Sequence, residues 1–251
     1  MMNKYLKKYF FALLLFLISA SFYRKPSIND ATINLVFIND IKENNLVLND
    51  STYVNPFHET YSISKLKYYV TNIAFQNNSA GFKEENSYHL VDESEPASKT
   101  VTIGIPAGSY ESIKFLLGVD SLHNVSGAQS GDLDADKDMF WTWNSGYVMA
   151  KIEGNSPASP LVNHKFEYHI GGFSGPNNVL KEIGLPFEVK HQFESGKSYT
   201  VFIKADINAW WQSAHDLKIA EHPAVTTPGA LAESISDNYS NMFHIEKITT
   251  Q

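Results

Sequence analysis

No cysteine occurs anywhere in the 251 residues. That absence removes a disulfide framework, a thiolate zinc site, an iron–sulfur cluster, a cysteine nucleophile and a lipid-anchored lipobox cysteine. Positive charge is also short: 20 Lys and Arg stand against 27 Asp and Glu, a net charge of −7. A nucleic-acid partner is therefore not expected, because no basic surface is available to displace phosphate counterions. Recognised catalytic motifs are missing too. There is no His-Glu-x-x-His, no Walker or dinucleotide glycine loop, and the stretch Gly171 to Gly175 (GGFSG) is one residue out from a nucleophile elbow. A carboxylate pair for glycoside hydrolysis is not distinguished by spacing, since its defining feature is spatial. A binding protein, not an enzyme, is the expectation.

What is present is an apolar content of 43% and an aromatic content of 13%, too high for a disordered chain. With thiolates gone, His, Asp, Glu and Met are the remaining metal-ligand types, and there are nine histidines.

The amino terminus has the pattern of a secretory signal peptide over residues 1–20. Lys4, Lys7 and Lys8 precede an apolar run over residues 10–18, which ends in Ser19-Ala20-Ser21. The run is short of the ~20 apolar residues a membrane-spanning helix needs. Cleavage near Ala20 would remove three lysines and no acids, leaving 17 basic against 27 acidic residues, a net −10. A soluble periplasmic or secreted protein without a membrane span is expected, with residues 31–248 as one domain. Lacking staples, it must draw its stability from a core.

Short β-rich runs dominate that domain. Residues 33–38, 63–75, 101–105, 113–119, 166–170, 187–189 and 199–203 read as strands. The clearest are the alternating sets Ile113, Phe115, Leu117, Val119 and Phe166, Tyr168, Ile170. Strands at such intervals without alternating helices predict an all-β fold, an antiparallel β-sandwich of immunoglobulin or cupredoxin type. Helix is scarce and late: Thr227 reads as a cap before Pro228, with Leu231, Ile235, Tyr239 and Met242 on one face. A second short helix is expected over residues 206–212. Residues 121–137, rich in Gly, Ser and Asp, read as a long functional loop.

Several groups invite chemistry. The run Asp132-Leu133-Asp134-Ala135-Asp136-Lys137-Asp138 suggests calcium but fails as an EF-hand, since Lys137 and Trp143 fall on the glycine and bidentate-Glu positions. A solvated acidic turn is the better reading. Trp141 and Trp143, at i and i+2, would share one side of a strand. Core packing and a carbohydrate-stacking platform are both open for them. His169 would share a face with Lys165 and Glu167, and the two glycines that follow permit a close backbone approach. His123 lies in the irregular loop. His58, His89, His164, His191, His215, His222 and His244 show no paired ligand spacing.

Taken together and in order, several segments resemble the MbnP-like copper-binding family, methanobactin-associated and kynurenine/histidine copper-site proteins. They are ISKLKYYVTNI from Ile63, GVDSLHNVSGAQ from Gly118, MFWTWNSGY from Met139, YHIGGF from Tyr168 and DNYSNMF from Asp237. The resemblance implies an exported β-sandwich for copper acquisition, storage or delivery. It implies a site of His169, His123 and Trp141, with Trp141 the first candidate for oxidation to kynurenine and Trp143 the second. A dihaem peroxidase-like protein is the partner that the resemblance implies for that oxidation. Two positions depart from the family pattern: Trp143 stands where relatives place a His, and no Cys follows the His169 segment. A carbohydrate- or surface-ligand-binding sandwich that uses exposed tryptophans, its metal site lost, is the alternative.

Overall fold

A computed structural model describes residues 30–77, 81–127, 129–141 and 146–250. The expected signal segment and Trp143 lie outside the described residues. Strands are numbered along the chain. One sheet contains β1 (Asp30–Ile41), β2 (Asn44–Asn45), β7 (Thr100–Pro106), β13 (Ser198–Asp206) and β15 (Phe243–Thr250). The other is built on β4 (Thr60–Gln76), β8 (Gly108–Leu117), β10 (Gly146–Asn155), β11 (Lys165–Gly171) and β12 (Lys181–Phe193). Around this second sheet lie the short β3 (Tyr53–Val54), β5 (Phe82–Lys83), β6 (Tyr88–Asp92), β9 (Phe140–Trp141) and β14 (Ala224–Val225).

The result is an all-β, sandwich-like fold, as the strand spacing predicts. Its sheets are mixed rather than wholly antiparallel, because β1 runs parallel to β13 and β11 parallel to β14. Alternation within a strand reports which face is buried and not the direction of the neighbour, so this detail was not readable locally.

The sheets meet through aromatic rings. Phe37 of β1 packs edge-on against Tyr68 of β4 at 6.3 Å and Phe115 of β8 at 6.1 Å. Phe243 of β15 reaches the same two rings at 5.6 and 5.2 Å. Each such fully buried side chain contributes roughly 1.5–3 kcal/mol, and this replaces the missing disulfides. Between β7 and β8 the chain passes from one sheet to the other with only Ala107 intervening. The Pro-Ala-Gly-Ser turn signal is thus a sandwich corner, closed by Tyr110 Oη donating to Pro106 O at 2.9 Å.

The long β4 organises the second sheet. Lys67 and Tyr68 pair with both β6 and β10, and Val70 and Thr71 with both β6 and β8. One edge of β4 therefore carries β6, while β10 and β8 share the other edge end to end. Where they part, the described residues from 118 to 138 leave the sheet and fold over its outer face. Tyr69 Oη donates to Asp132 O at 2.9 Å and Tyr147 Oη to Leu133 O at 2.6 Å, fastening this third layer.

Two helices occur among the described residues. The short α1 (Ser121–Val125) lies in the segment read from sequence as irregular. The later α2 (Ala230–Tyr239) starts behind Gly229, two residues beyond the expected Pro228 start. The expected helix at residues 206–212 is a single 3-10 turn, Ile207–Trp210, capped by Asp206 accepting from Asn208 N at 3.0 Å. Among the described residues no helix is long and apolar enough to cross a membrane.

Candidate functional site

The third layer and the sheet beneath it carry His123, Trp141 and His169. Asp120 caps α1, its Oδ1 accepting from the His123 backbone N at 3.1 Å, the usual use of Asp at a helix start. Asn124, fully buried, then stitches the helix to the sheet. Its amide donates to Val119 O and to Asp120 O, and its Oδ1 accepts from Tyr147 N at 2.8 Å. Ser121 Oγ donates to Phe173 O at 3.1 Å, just past the end of β11. Helix α1 is therefore pinned where β10 begins and β11 ends.

His123 is held by more than its helix. Its Nδ1 lies 2.6 Å from Tyr88 Oη and 3.0 Å from Asp120 Oδ1, and the His123 and Tyr88 rings sit 4.2 Å apart. Tyr88 Oη also donates to Asp120 Oδ2. Burial pushes the Asp120 carboxyl up, but the hydrogen bonds from Tyr88 and His123 outweigh it and hold the group at about 2. Tyr88 shifts the other way, its hydroxyl raised well above the usual phenol range by burial and by the Asp120 carboxylate. On either side of His123, Leu122 and Val125 are exposed.

Trp141 ends β9, opposite Gly146 of β10, and is 7% exposed. Its ring rests on bare backbone: a Cβ on Gly171 would stand 2.5 Å from Trp141 Cζ3 and 2.7 Å from Cη2. The first glycine after His169-Ile170 is thus required by a close approach, as the sequence suggests. The second, Gly172, has φ +125, a conformation that favours glycine. Little of the Trp141 ring is left for a sugar to stack on.

His169 shares a strand face with Gly171, two residues on and about 6.6 Å away at ~3.3 Å per residue. Phe166, Tyr168 and Ile170 fill the opposite, buried face, so the alternation read from sequence holds. His169 Nε2 meets Glu153 Oε1 at 2.8 Å. That hydrogen bond lowers the Glu153 carboxyl against burial, with help from Lys65, whose Nζ is 3.5 Å from Glu153 Oε2.

The acidic run is committed to the fold. Asp132 Oδ2 accepts from Leu90 N at 3.0 Å, Asp134 Oδ1 accepts from Asp136 N at 3.0 Å, and Asp138 pairs with Lys65 at 2.7 Å and Lys151 at 3.1 Å. Lys151 is 3% exposed, and burial lowers its ammonium despite Asp138. These carboxylates position the loop over the sheet. The solvated-turn reading holds in outline, since the run forms partly to fully exposed 3-10 turns apart from Leu133, with bonds to the fold added.

Among the described residues no group of three or more His, Asp and Glu side chains is arranged to hold a metal ion. His123 and His169 stand in separate hydrogen-bonded clusters, and Trp141 of β9 lays its ring against Gly171 of the His169 strand. Two imidazoles suit Cu(I) and Cu(II), and a two-coordinate donor set suits Cu(I). Each ring has one nitrogen engaged, and His123 Nε2 and His169 Nδ1 make no hydrogen bond among the described residues. Imidazole nitrogen is a donor type that copper accepts, and these two ring nitrogens are the ones left open for it. Tyr88, Asp120 and Asn124 were missed from sequence. Only Asp120, three residues before His123 in a helix-cap position, offered a local signal.

The sequence matches the MbnP family over residues 30–228. Among solved structures, MbnP from Methylosinus trichosporium is similar, at 13% identity over 79% of this chain and 81% of that chain, with a TM-score of 0.53. At that identity the likeness concerns the fold. No curated protein matches. With the family pattern extending from β1 through the His169 strand to Pro228, the chain belongs to the MbnP family.

Proposed function

We propose that this chain is an exported, non-enzymatic copper-binding protein for copper acquisition, storage or delivery. His169 and His123 are the imidazole donors, and Trp141 or its kynurenine form is the third group. Trp143 is the second candidate for that modification. The observation that carries the reading is the seat of Trp141 on Gly171, two positions along the same strand face from His169. The pinning of α1, and so of His123, to the same end of that sheet supports it. Bound copper would supply a site for one-electron chemistry and for ligand exchange with a delivery partner. The chain's own contribution is to hold the two rings on rigid elements and to shield the indole. Export rests on the basic–apolar–small pattern of residues 1–20. A dihaem peroxidase-like protein is the proposed oxidant of the tryptophan.

The test is copper stoichiometry of protein purified from its native host, with intact and peptide mass spectrometry. Copper retained by the wild type and lost on His169→Ala is expected. The Trp141 peptide should carry the mass gain that follows when one carbon is replaced by one oxygen. Wild-type protein reconstituted with Cu(I) that binds no tighter than micromolar, an affinity of about −8 kcal/mol, would sink the reading.

A further inference from the structure

Among the three side chains around His123, one placement of the hydrogens satisfies all of their mutual contacts. Asp120 at neutral pH is a carboxylate and only accepts. Tyr88 has a single hydroxyl hydrogen, and it is directed to Asp120 Oδ2. His123 Nδ1 faces Asp120 Oδ1 at 3.0 Å and Oδ2 at 3.2 Å, as well as the Tyr88 oxygen at 2.6 Å. Three electron-rich oxygens thus surround one ring nitrogen. If Nδ1 lacked a hydrogen, its lone pair would point at a carboxylate and at an oxygen whose only hydrogen is already used. We infer that Asp120 and Tyr88 are positioning residues that lock His123 as the Nδ1–H tautomer, leaving the Nε2 lone pair as the metal-donor nitrogen. The inference deepens the copper reading and rests on it for the word "metal".

The same inventory applied to His169 gives the opposite nitrogen. Its Nε2 lies 2.8 Å from Glu153 Oε1, so the ring donates from Nε2 and presents Nδ1. The two histidines are therefore set in different tautomers by different carboxylates, Asp120 and Glu153. Carboxylate support of a ligating imidazole fixes its orientation and raises its basicity. Asp120 does this from a helix cap, so the same oxygen that starts α1 also orients the ring one turn later. Tyr88 arrives from β6, 35 residues away in sequence, and its ring packs at a tilt against the imidazole, 4.2 Å between centroids.

The experiment separates the inference from the copper reading by starting without metal. Long-range proton–nitrogen NMR on the metal-free wild-type chain reports which imidazole nitrogen of His123 carries the hydrogen. Nδ1–H is expected for the wild type. Asp120→Asn keeps a good helix cap but offers an amide that donates to Nδ1, so His123 should turn over to Nε2–H. Tyr88→Phe should retain Nδ1–H with a broadened ring signal. In Cu(I) titrations Asp120→Asn should then weaken binding by roughly 10–100-fold, while Glu153→Gln acts separately through His169. A wild-type His123 found as Nε2–H, or an Asp120→Asn chain with an unchanged tautomer, overturns the inference. Nδ1–H in a wild-type chain that binds no copper upholds the tautomer lock and overturns the copper reading instead.

Discussion

Two corners of this molecule bury tryptophan, and they seat it in different ways. At Trp210 and Trp211 both indoles are fully buried in an aromatic cluster. Trp211 meets Tyr61 at 4.9 Å, Phe166 at 5.5 Å and Tyr168 at 5.9 Å, and Trp210 meets Tyr239 of α2 at 4.8 Å. Asn238 ties the turn to the helix through Trp210 O and His215 O. At Trp141 the ring is also part of the buried core but rests on the backbone of Gly171, on the strand face that carries His169. The first corner is packing. The second is packing as well, but against glycine backbone on the edge of the candidate site.

If that distinction is right, truncation at the first corner costs the most and says nothing about metal. Trp211→Ala should destabilise the fold by about 3–5 kcal/mol, read as a lower urea midpoint with an unchanged denaturant slope. Copper bound per folded chain should not change. A destabilisation below about 1 kcal/mol would show that the corner is not the core element described.

The second corner should respond to a smaller insult. Gly171→Ala places a methyl group against Trp141 and should cost about 1–3 kcal/mol, together with a change in near-ultraviolet circular dichroism. Gly184→Ala is the control, because the nearest atom to its Cβ would be Lys114 Cε at 3.9 Å. Equal effects at the two glycines would break the argument that Gly171 is a seat for the indole.

Acid should reach the second corner as well. The Asp120 carboxyl, ordinarily near 3.8, sits at about 2 in the folded chain. A depressed carboxylate contributes stability that is complete above 3.8 and is lost as pH falls from there through about 2. Asp120→Asn should remove on the order of 1 kcal/mol of that acid sensitivity, given the partial solvent exposure. Urea midpoints followed from neutral pH downward would converge for wild type and variant at the acid end. Parallel curves would count against it.

The smallest effect belongs to the lysine–aspartate layer. Lys65→Ala should cost about 0.2–1 kcal/mol, less at high salt, since the pair with Asp138 is substantially exposed. A salt-independent loss would mean that Lys65 acts through packing of its stem instead.

Much of the fold was legible. The alternation at residues 113–117 and 166–170 matches β8 and β11, and the family resemblance is supported by the match over residues 30–228. What escaped has identifiable causes. Strand β10 is buried along nearly its whole length, so it shows no two-residue period. Helix α1 is only five residues long, too short for a helical period to emerge. Strand β15 follows α2 directly, and a face drawn through Met242 ran past the true helix end.

By itself the sequence determined the strand-rich class, the reliance on an aromatic core in place of disulfides, and the residue types available to hold a soft metal. Those follow from composition and from neighbours along the chain. Which imidazole nitrogen is left free, which glycine lies beneath Trp141 and which of the tryptophans are core were decided only by tertiary structure. Tyr88 reaches His123, Gly171 reaches Trp141 and Tyr61 reaches Trp211 across 35, 30 and 150 residues. Contacts at such separations come from how strands pair and sheets stack, and no local spacing encodes them.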